Sequence, residues 1–201
     1  MKQFLTERTS LYATDSDFCR IFRDDMSSLY MLSFVLTADH ALAEKCFVSG
    51  LDDCSTGNRV FKEWARSWAR RVVIKDAIRI IAPGNAATEQ VPATGTTNGA
   101  EFLQEMKRPE LAFELKALIE LPAFERFAFV MSFCEGYADR DCALLLGCTR
   151  DRLVTGRTRA LEQIKDSVLA KDRLVEGTLL PSESGPAAFN HSVGSTLATS
   201  A

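Results

Sequence analysis

The sequence predicts an all-α fold of two small helical domains joined by a flexible linker. Apolar residues recur every three or four positions through residues 18–82 and 101–176, which is the spacing of one helix face. Strand signals, such as alternating β-branched residues between tight turns, are nearly absent. Residues 83–100 hold two prolines, three glycines and one charged side chain, as flexible linkers do. Residues 177–201 are small and polar, and we expect a disordered tail there.

The bulk composition narrows the class of protein. The chain has 201 residues, of which 46% are hydrophobic and 25% charged, as in ordinary globular proteins. It contains no uncharged apolar run long enough to cross a membrane, and its first residues, MKQFLTE, lack the apolar core of a signal peptide. We therefore expect a cytoplasmic protein that does not insert into membranes.

Six cysteines and two histidines are too scattered to indicate a metal site. None of the cysteines forms a CxxC pair, and reduced, buried thiols are ordinary in cytoplasmic proteins. We expect no metal, no cofactor and no catalytic residue. An enzyme or redox sensor remains as an alternative of a different class, built on three thiols of the second domain, Cys134, Cys142 and Cys148.

The charge distribution points to two basic segments in a mildly acidic chain. The net charge is −3, but residues 58–82 carry an excess of five positive charges and residues 149–165 an excess of three. Clustered lysine and arginine on one side of a helix are the electrostatic signature of nucleic-acid contact, although a solvated helix face is as common an explanation.

The first domain is expected to contain three helices. An apolar stripe begins at Phe18 and continues past Leu29, and Asp39 is suited to cap a second helix that the Gly50 position would end. A third helix is expected from about Asn58, with its two tryptophans in the core. The opposite face of that helix carries three basic residues spaced by four, Lys62, Arg66 and Arg70.

The strongest motif lies in residues 136–164 and indicates a helix-turn-helix. Counted from Asp139, an alanine falls at the fifth position, a glycine at the ninth and an aliphatic residue at the fifteenth. Two helices that cross steeply leave room only for a small side chain at Ala143, and the tight turn favours a positive φ at Gly147. Thr149 is placed to cap the second helix, and Leu153 to close the small core together with Cys142, Leu145 and Leu146.

The second helix of this motif, from Arg150 to about Ile164, is the candidate DNA-reading element. Residues at its N-terminus would approach base edges in the major groove, so Arg150 and Arg152 are expected to contact guanine or phosphate. Three further residues are expected to reach phosphates, Thr155, Arg157 and Arg159. Gly156 is out of place in such a helix and costs about 1 kcal/mol relative to alanine. A motif used for packing alone is the competing interpretation.

The second domain resembles region 4 of a sigma-70-type RNA polymerase sigma factor of the extracytoplasmic-function group. Residues 118–130, LIELPAFERFAFV, are similar to the family's "L..LP...R..F" lead-in, and Glu135, Gly136 and Tyr137 stand where the family has "EGLS". Residues 159–161, RAL, match the end of its recognition helix. The resemblance implies that this domain binds the −35 promoter element through the five residues of the candidate reading helix.

The first domain resembles sigma region 2, and the likeness covers residues 18–82. Residues 29–30, 36–39 and 43–44 are similar to the family's "LYRLALRLTGD..DAE", and Phe61, Trp64 and residues 69–70 to its "F..WL..IAR". The resemblance implies a polymerase-binding helix at residues 41–51, with Glu44, Phe47 and Val48 as contacts. It also implies that residues 55–58 and the three spaced basic residues meet the −10 element. An anti-sigma factor is a further candidate partner.

The sequence departs from the family after Glu44, where the family has an acidic residue followed by "LVQE". Residues 45–50 are instead KCFVSG, so the expected acidic, glutamine-bearing surface is missing. Two hypotheses follow from these residues. The chain is a sigma factor that directs core RNA polymerase to promoters, or it is a sigma-derived regulator that binds DNA and has lost productive polymerase binding.

Overall fold

The structure is a computed structural model that describes residues 11–57, 59–84 and 109–178. Within these ranges the chain forms helices and no strand, which confirms the predicted all-α class. The part of the chain that the structure describes has eight α-helices whose bounds both lie within it: α1 Asp15–Asp24, α2 Met26–Thr37, α3 His40–Thr56, α4 Ala65–Ile81, α5 Pro109–Ile119, α6 Ala123–Phe129, α7 Asp139–Leu146 and α8 Arg150–Thr178. We call α1–α4 the first lobe and α5–α8 the second lobe. None of the described helices is long and apolar enough to cross a membrane.

The first lobe opens with two helices where the apolar stripe alone indicated one. Thr14 and Asp17 form a reciprocal capping box that starts α1, and Asp25 ends it. The stripe then resumes in α2, where Leu29, Leu32 and Leu36 are buried. A break at Asp25 leaves the three-to-four spacing intact on both sides, so periodicity could not reveal it.

The second predicted helix begins as expected but does not end at Gly50. Asp39 caps α3 by accepting a hydrogen bond from the backbone N–H of Leu42 at 2.8 Å. The helix continues to Thr56 because Gly50 serves packing and not termination. A Cβ atom at position 50 would lie 3.1 Å from Cγ2 of Val73, so the glycine allows α3 and α4 to approach closely.

The third predicted helix starts later than Asn58, a residue outside the described ranges. A short 3₁₀ turn, Lys62–Trp64, precedes α4. The prediction that both tryptophans are core residues is wrong for Trp64, whose side chain is 58% exposed and rests edge-on against Phe61 at 5.4 Å. Trp68 is half-buried, with the ammonium of Lys75 lying 5.6 Å from its ring centroid. Trp64 lies in the 3₁₀ turn and not in α4, so the helical spacing that relates it to Trp68 does not apply.

The second lobe packs α5, α6 and α7 around the first half of α8. Its interior consists of apolar side chains with little or no exposure, among them Leu121, Phe124, Phe127, Met131, Leu153 and Ala160. A π-helical turn, Val130–Cys134, extends α6 and places Glu135 and Gly136 at its end. The last helix runs to Thr178, so the predicted tail does not begin at residue 177. The remainder of that tail, residues 179–201, lies outside the described residues.

The two lobes are in direct contact. One continuous cluster of buried apolar side chains includes residues of both, from Phe34 and Ile74 in the first lobe to Phe127 and Leu153 in the second. Arg126, 4% exposed, lies at the junction, where its Nε donates to the Leu36 carbonyl oxygen at 3.3 Å. The predicted linker from residue 85 onward, with residues 101–108 of the predicted second domain, lies outside the described residues, and the flexible connection stays a prediction.

Candidate nucleic-acid interface

The turn between α7 and α8 has the local structure that the sequence predicted. Gly147 adopts φ +62° and ends α7. Thr149 caps α8, with its Oγ1 accepting from the backbone N–H of Arg152 at 3.3 Å. Ala143 is buried where the helices meet, and Leu153 is fully buried beneath them. The predicted small core is confirmed for Cys142 and Leu146, whereas Leu145 is only half-buried.

Arg157 braces the two helices of this pair. Its Nη1 donates to Oδ1 of Asp139, the first residue of α7, at 2.7 Å. Its guanidinium also lies 5.7 Å from the ring centroid of Phe133. The side chain is only one-quarter exposed, so this contact links the start of α7 to α8 within the folded chain.

Arg152 is held between the lobes by an aromatic ring and a backbone carbonyl. Its guanidinium stacks on Phe124 at 4.4 Å, and its Nη1 donates to the carbonyl oxygen of Gly84 at 3.2 Å. The Phe124 ring reaches this position because residue 156 is a glycine, whose added Cβ would lie 2.6 Å from Cε1 of the ring. The glycine that was out of place in a reading helix therefore has a packing role.

The other three residues of the candidate reading helix face solvent. Arg150 lies in the first turn of α8, and Thr155 and Arg159, four residues apart, share one exposed face. Arg159 forms a loose ion pair with Glu125 at 3.9 Å while its side chain stays 65% exposed. The structure therefore divides the five predicted contacts into three exposed residues and two, Arg152 and Arg157, with internal partners.

Lys62, Arg66 and Arg70, the basic face of the first lobe, lie beside α1 and α2. Nζ of Lys62 is 3.5 Å from Asp17, and Nη1 of Arg66 is 3.2 Å from Asp25. The side chains of Lys62 and Arg66 are 47% and 64% exposed. Exposed ion pairs of this kind contribute about 0–1 kcal/mol, so Lys62 and Arg66 can exchange their carboxylates for phosphates at little cost.

Arg70 differs from its neighbours because its partner is buried and belongs to the second lobe. Its Nε donates to Oε2 of Glu135 at 2.8 Å, and its Nη2 contacts Oε1 of the same carboxylate. Nη1 donates to Oγ of Ser28 at 2.8 Å. The hydrogen bond to Glu135 is the largest influence on the pKa of Arg70, which is raised above its ordinary value. The Glu135 side chain is 7% exposed.

A cleft of about 830 Å³ opens beside this ion pair, between the lobes. Its walls include Trp64, Trp68, Arg71 and Tyr137, and the Arg71 guanidinium lies 6.0 Å from the Tyr137 ring centroid. Cys134 also lines the cleft. Partial burial, together with the charge of Glu135, raises the pKa of that thiol.

The thiols give little support to a catalytic or redox site. Burial raises the pKa of Cys142 and of Cys148, and raises that of Cys54 to about 12, so each thiol is held in its less reactive protonated form near neutral pH. No set of three or more metal-binding side chains converges within the part of the chain that the structure describes.

The predicted polymerase contacts lie on α3. Glu44 is exposed and Val48 is 52% exposed, one turn apart on the same face. Phe47 is half-buried and packs edge-on against Phe22 at 5.2 Å, so its role is chiefly internal. Among the departures from the sigma pattern, Cys46 and Gly50 face the core, and Lys45 and Val48 alter the surface.

The sequence interpretation missed three residues that shape this interface, Glu135, Phe124 and Arg126. Glu135 is 65 positions from Arg70, and no spacing rule connects residues so far apart. For Phe124 a signal existed, since a glycine inside a strongly periodic helix often marks a close approach by a neighbouring group. Arg126 is the arginine of the "L..LP...R..F" motif, but its burial results from the packing of the two lobes, which the motif does not predict.

Comparison with known proteins yields a likeness in structure and none in sequence. The sequence matches no protein-family profile and no curated protein. The fold is similar to the sigma factor RpoE of Bartonella quintana, solved in complex with the anti-sigma factor NepR. That likeness covers 76% of this chain and 96% of the other, with 18% sequence identity and a TM-score of 0.44, and it does not establish a family.

Proposed function

We propose that this chain is a cytoplasmic sigma factor of the extracytoplasmic-function type, which joins bacterial core RNA polymerase and directs it to promoter DNA. The observation that carries the proposal is the α7–α8 pair, in which Gly147 and Thr149 form the turn and the exposed side of α8 presents Arg150, Thr155 and Arg159. A helix held at its N-terminus by such a turn can enter the major groove of DNA. The chain needs no chemistry of its own for this role.

Each side chain has a distinct part in the proposed contact with DNA. Arg150, in the first turn of α8, is nearest the base edges, where arginine recognises guanine through two hydrogen bonds. Thr155 and Arg159 follow on the exposed face and meet the phosphate backbone. Arg157 keeps the two helices at a fixed angle through Asp139, and Arg152 holds the head of α8 against Phe124.

The first lobe supplies the second DNA contact and the contact with polymerase. Lys62 and Arg66 hold exposed, weakly paired charges that are available to a strand of DNA. Glu44 and Val48 form an outward-facing pair on α3 that is available to the polymerase. Phe47 supports that surface from beneath through Phe22.

Co-elution with bacterial core RNA polymerase at moderate salt tests the polymerase contact. We expect the wild-type chain to form a stable complex and the exposed substitution Val48→Asp to weaken it, because a charge on an apolar contact must be desolvated. Thr155→Ala is the matched control, since that side chain is also exposed but lies on the proposed DNA side. A folded chain that never co-elutes would remove the sigma role.

A sigma-derived regulator is the second candidate, and the surface of α3 favours it. Lys45 and Val48 are exposed where the sigma pattern has an acidic residue and a glutamine, so the chemistry of the surface changes at two neighbouring positions. Such a chain would keep α8 for DNA and act as a repressor or a protein-binding module. DNA binding without co-elution would identify this function.

A further inference from the structure

We propose that Glu135 masks Arg70 from DNA phosphate and so acts as an autoinhibitory group within the chain. The inference rests on the proposed DNA-binding function, because it concerns one arginine of the first-lobe basic face. It adds an internal competitor for that site, supplied by the second lobe.

The geometry of the contact is the one that a phosphate would use. Nε and Nη2 of Arg70 both meet the Glu135 carboxylate, which is the two-pronged arrangement that arginine forms with carboxylates and phosphates alike. Nη1 donates to Ser28 at 2.8 Å, so each guanidinium nitrogen has one partner. A phosphate cannot bind the Nε–Nη2 edge until the carboxylate leaves it.

The burial of the pair separates it from the other ion pairs of the basic face. The side chains of Asp25 and Asp17, the partners of Arg66 and Lys62, are 29% and 13% exposed, whereas that of Glu135 is 7% exposed. The Arg70 side chain is itself 35% exposed, against 64% for Arg66 and 47% for Lys62. A buried carboxylate that loses its partner is left with an uncompensated charge, so it holds the arginine more firmly than a surface carboxylate does. Lys62 and Arg66 therefore remain available to DNA, and Arg70 is withheld.

The backbone around Glu135 directs it toward the first lobe. Glu135 follows the π-helical turn, and Gly136, next in the chain, adopts φ +67°, which reverses the chain direction before α7. Tyr137 then faces Arg71 from the same side. At the far end of the junction, Arg152 of the reading helix donates to the Gly84 carbonyl at 3.2 Å. Each of the two proposed DNA surfaces therefore has one arginine, Arg70 or Arg152, whose side chain contacts the other lobe.

The salt dependence of DNA affinity tests the proposal with the full chain and a fluorescent mixed-sequence duplex of defined length. We expect Glu135→Gln to bind about tenfold more tightly at low salt, and its slope of log affinity against log salt to steepen by about 0.9, which is one additional phosphate contact. Glu135→Asp keeps the negative charge on a shorter side chain, so its DNA affinity and salt slope should lie between those of wild type and Glu135→Gln. Circular dichroism verifies that each variant is folded.

The matched control is Asp25→Asn, which changes the net charge equally but removes the exposed partner of Arg66. It should change affinity less than twofold, because that pair is already weak. Equal affinities and slopes for wild type and Glu135→Gln, with both binding DNA, would overturn the masking and leave the DNA-binding function standing. No binding by either chain at any salt would remove the DNA-binding function, and the masking with it.

Discussion

The ring of Phe124 occupies the space that a side chain at position 156 would need. A Cβ atom on Gly156 would lie 2.6 Å from Cε1 and 2.9 Å from Cδ1 of that ring, which is closer than real Cβ contacts. The ring is 3% exposed and carries Arg152 on its face at 4.4 Å. Any side chain at position 156 must therefore displace a buried ring and the arginine stacked on it.

Gly156→Ala should destabilise the fold, although alanine is the better helix former. Helix propensity alone would add about 1 kcal/mol of stability. Overpacking of a buried site costs about 1–3 kcal/mol, and the Phe124 ring has little room to move. We expect a net loss of about 1 kcal/mol in the free energy of unfolding, measured by urea denaturation. A net gain in stability would show that the ring moves aside without cost.

Two further variants, Phe124→Leu and Gly147→Ala, provide the control. Phe124→Leu should lessen the loss caused by Gly156→Ala, because the shorter side chain leaves room for the new methyl group. Gly147→Ala should also lower stability by about 1 kcal/mol, through its φ of +62°. Since a Cβ at Gly147 meets no atom within 4 Å, Phe124→Leu should not lessen that second loss.

The sequence predicted what short-range rules decide and missed what the packing of distant segments decides. Ala143, Gly147 and Thr149 lie within one turn and its flanking helices, so local backbone geometry requires their residue types. Gly50 carried the same local signal as a helix end, yet contact with Val73, 23 positions away, lets the helix continue. The contacts between the lobes, such as Arg70 with Glu135, could not be predicted from the sequence for the same reason.

The five predicted DNA contacts of α8 should separate into two classes by their effect on stability. Arg150→Ala removes an exposed side chain, so it should leave the free energy of unfolding unchanged within about 0.5 kcal/mol and weaken DNA binding. Because Arg150 is proposed to recognise a base and not a phosphate, the salt slope of the variant should change little. Unchanged affinity would place Arg150 outside the contact with DNA.

Arg157→Ala should instead lower stability, because it removes the brace to Asp139 at 2.7 Å. The pair is partly exposed, so a double-mutant cycle with Asp139→Asn should give a coupling energy of about 0.5–1 kcal/mol. Arg159→Ala with Glu125→Gln is the matched cycle, and its 3.9 Å separation should give almost no coupling. Equal coupling in both cycles would contradict the bracing role of Arg157.

The thiol of Cys134 should report on the charge of Glu135. Partial burial is the main cause of its raised pKa, and the neighbouring carboxylate contributes. A raised pKa leaves less thiolate near neutral pH, so labelling should be slow at pH 7 and accelerate about tenfold for each pH unit below the pKa. Glu135→Gln should lower the pKa and quicken labelling at pH 8. Peptide mass spectrometry distinguishes this thiol from that of Cys19, which is also exposed, and pH-independent labelling would contradict the prediction.

Arg126 should make the two lobes unfold as one unit. It is 4% exposed and donates to the Leu36 carbonyl of the first lobe at 3.3 Å, and to the Ile119 and Leu121 carbonyls of the second at 2.9 and 2.8 Å. Both tryptophans of the chain, Trp64 and Trp68, lie in the first lobe. Tryptophan fluorescence therefore follows the first lobe during urea denaturation, and far-UV circular dichroism follows both.

We expect the two signals to share one midpoint in the wild-type chain, because the buried apolar cluster is continuous across the lobes. Arg126→Lys keeps the positive charge but cannot bridge carbonyls on both sides, since an ammonium group lacks the planar fork of arginine. It should cost about 1–3 kcal/mol and separate the two midpoints. Arg66→Lys, at an exposed ion pair, should do neither. Separate midpoints in the wild-type chain would mean that the lobes fold independently and that Arg126 does not join them.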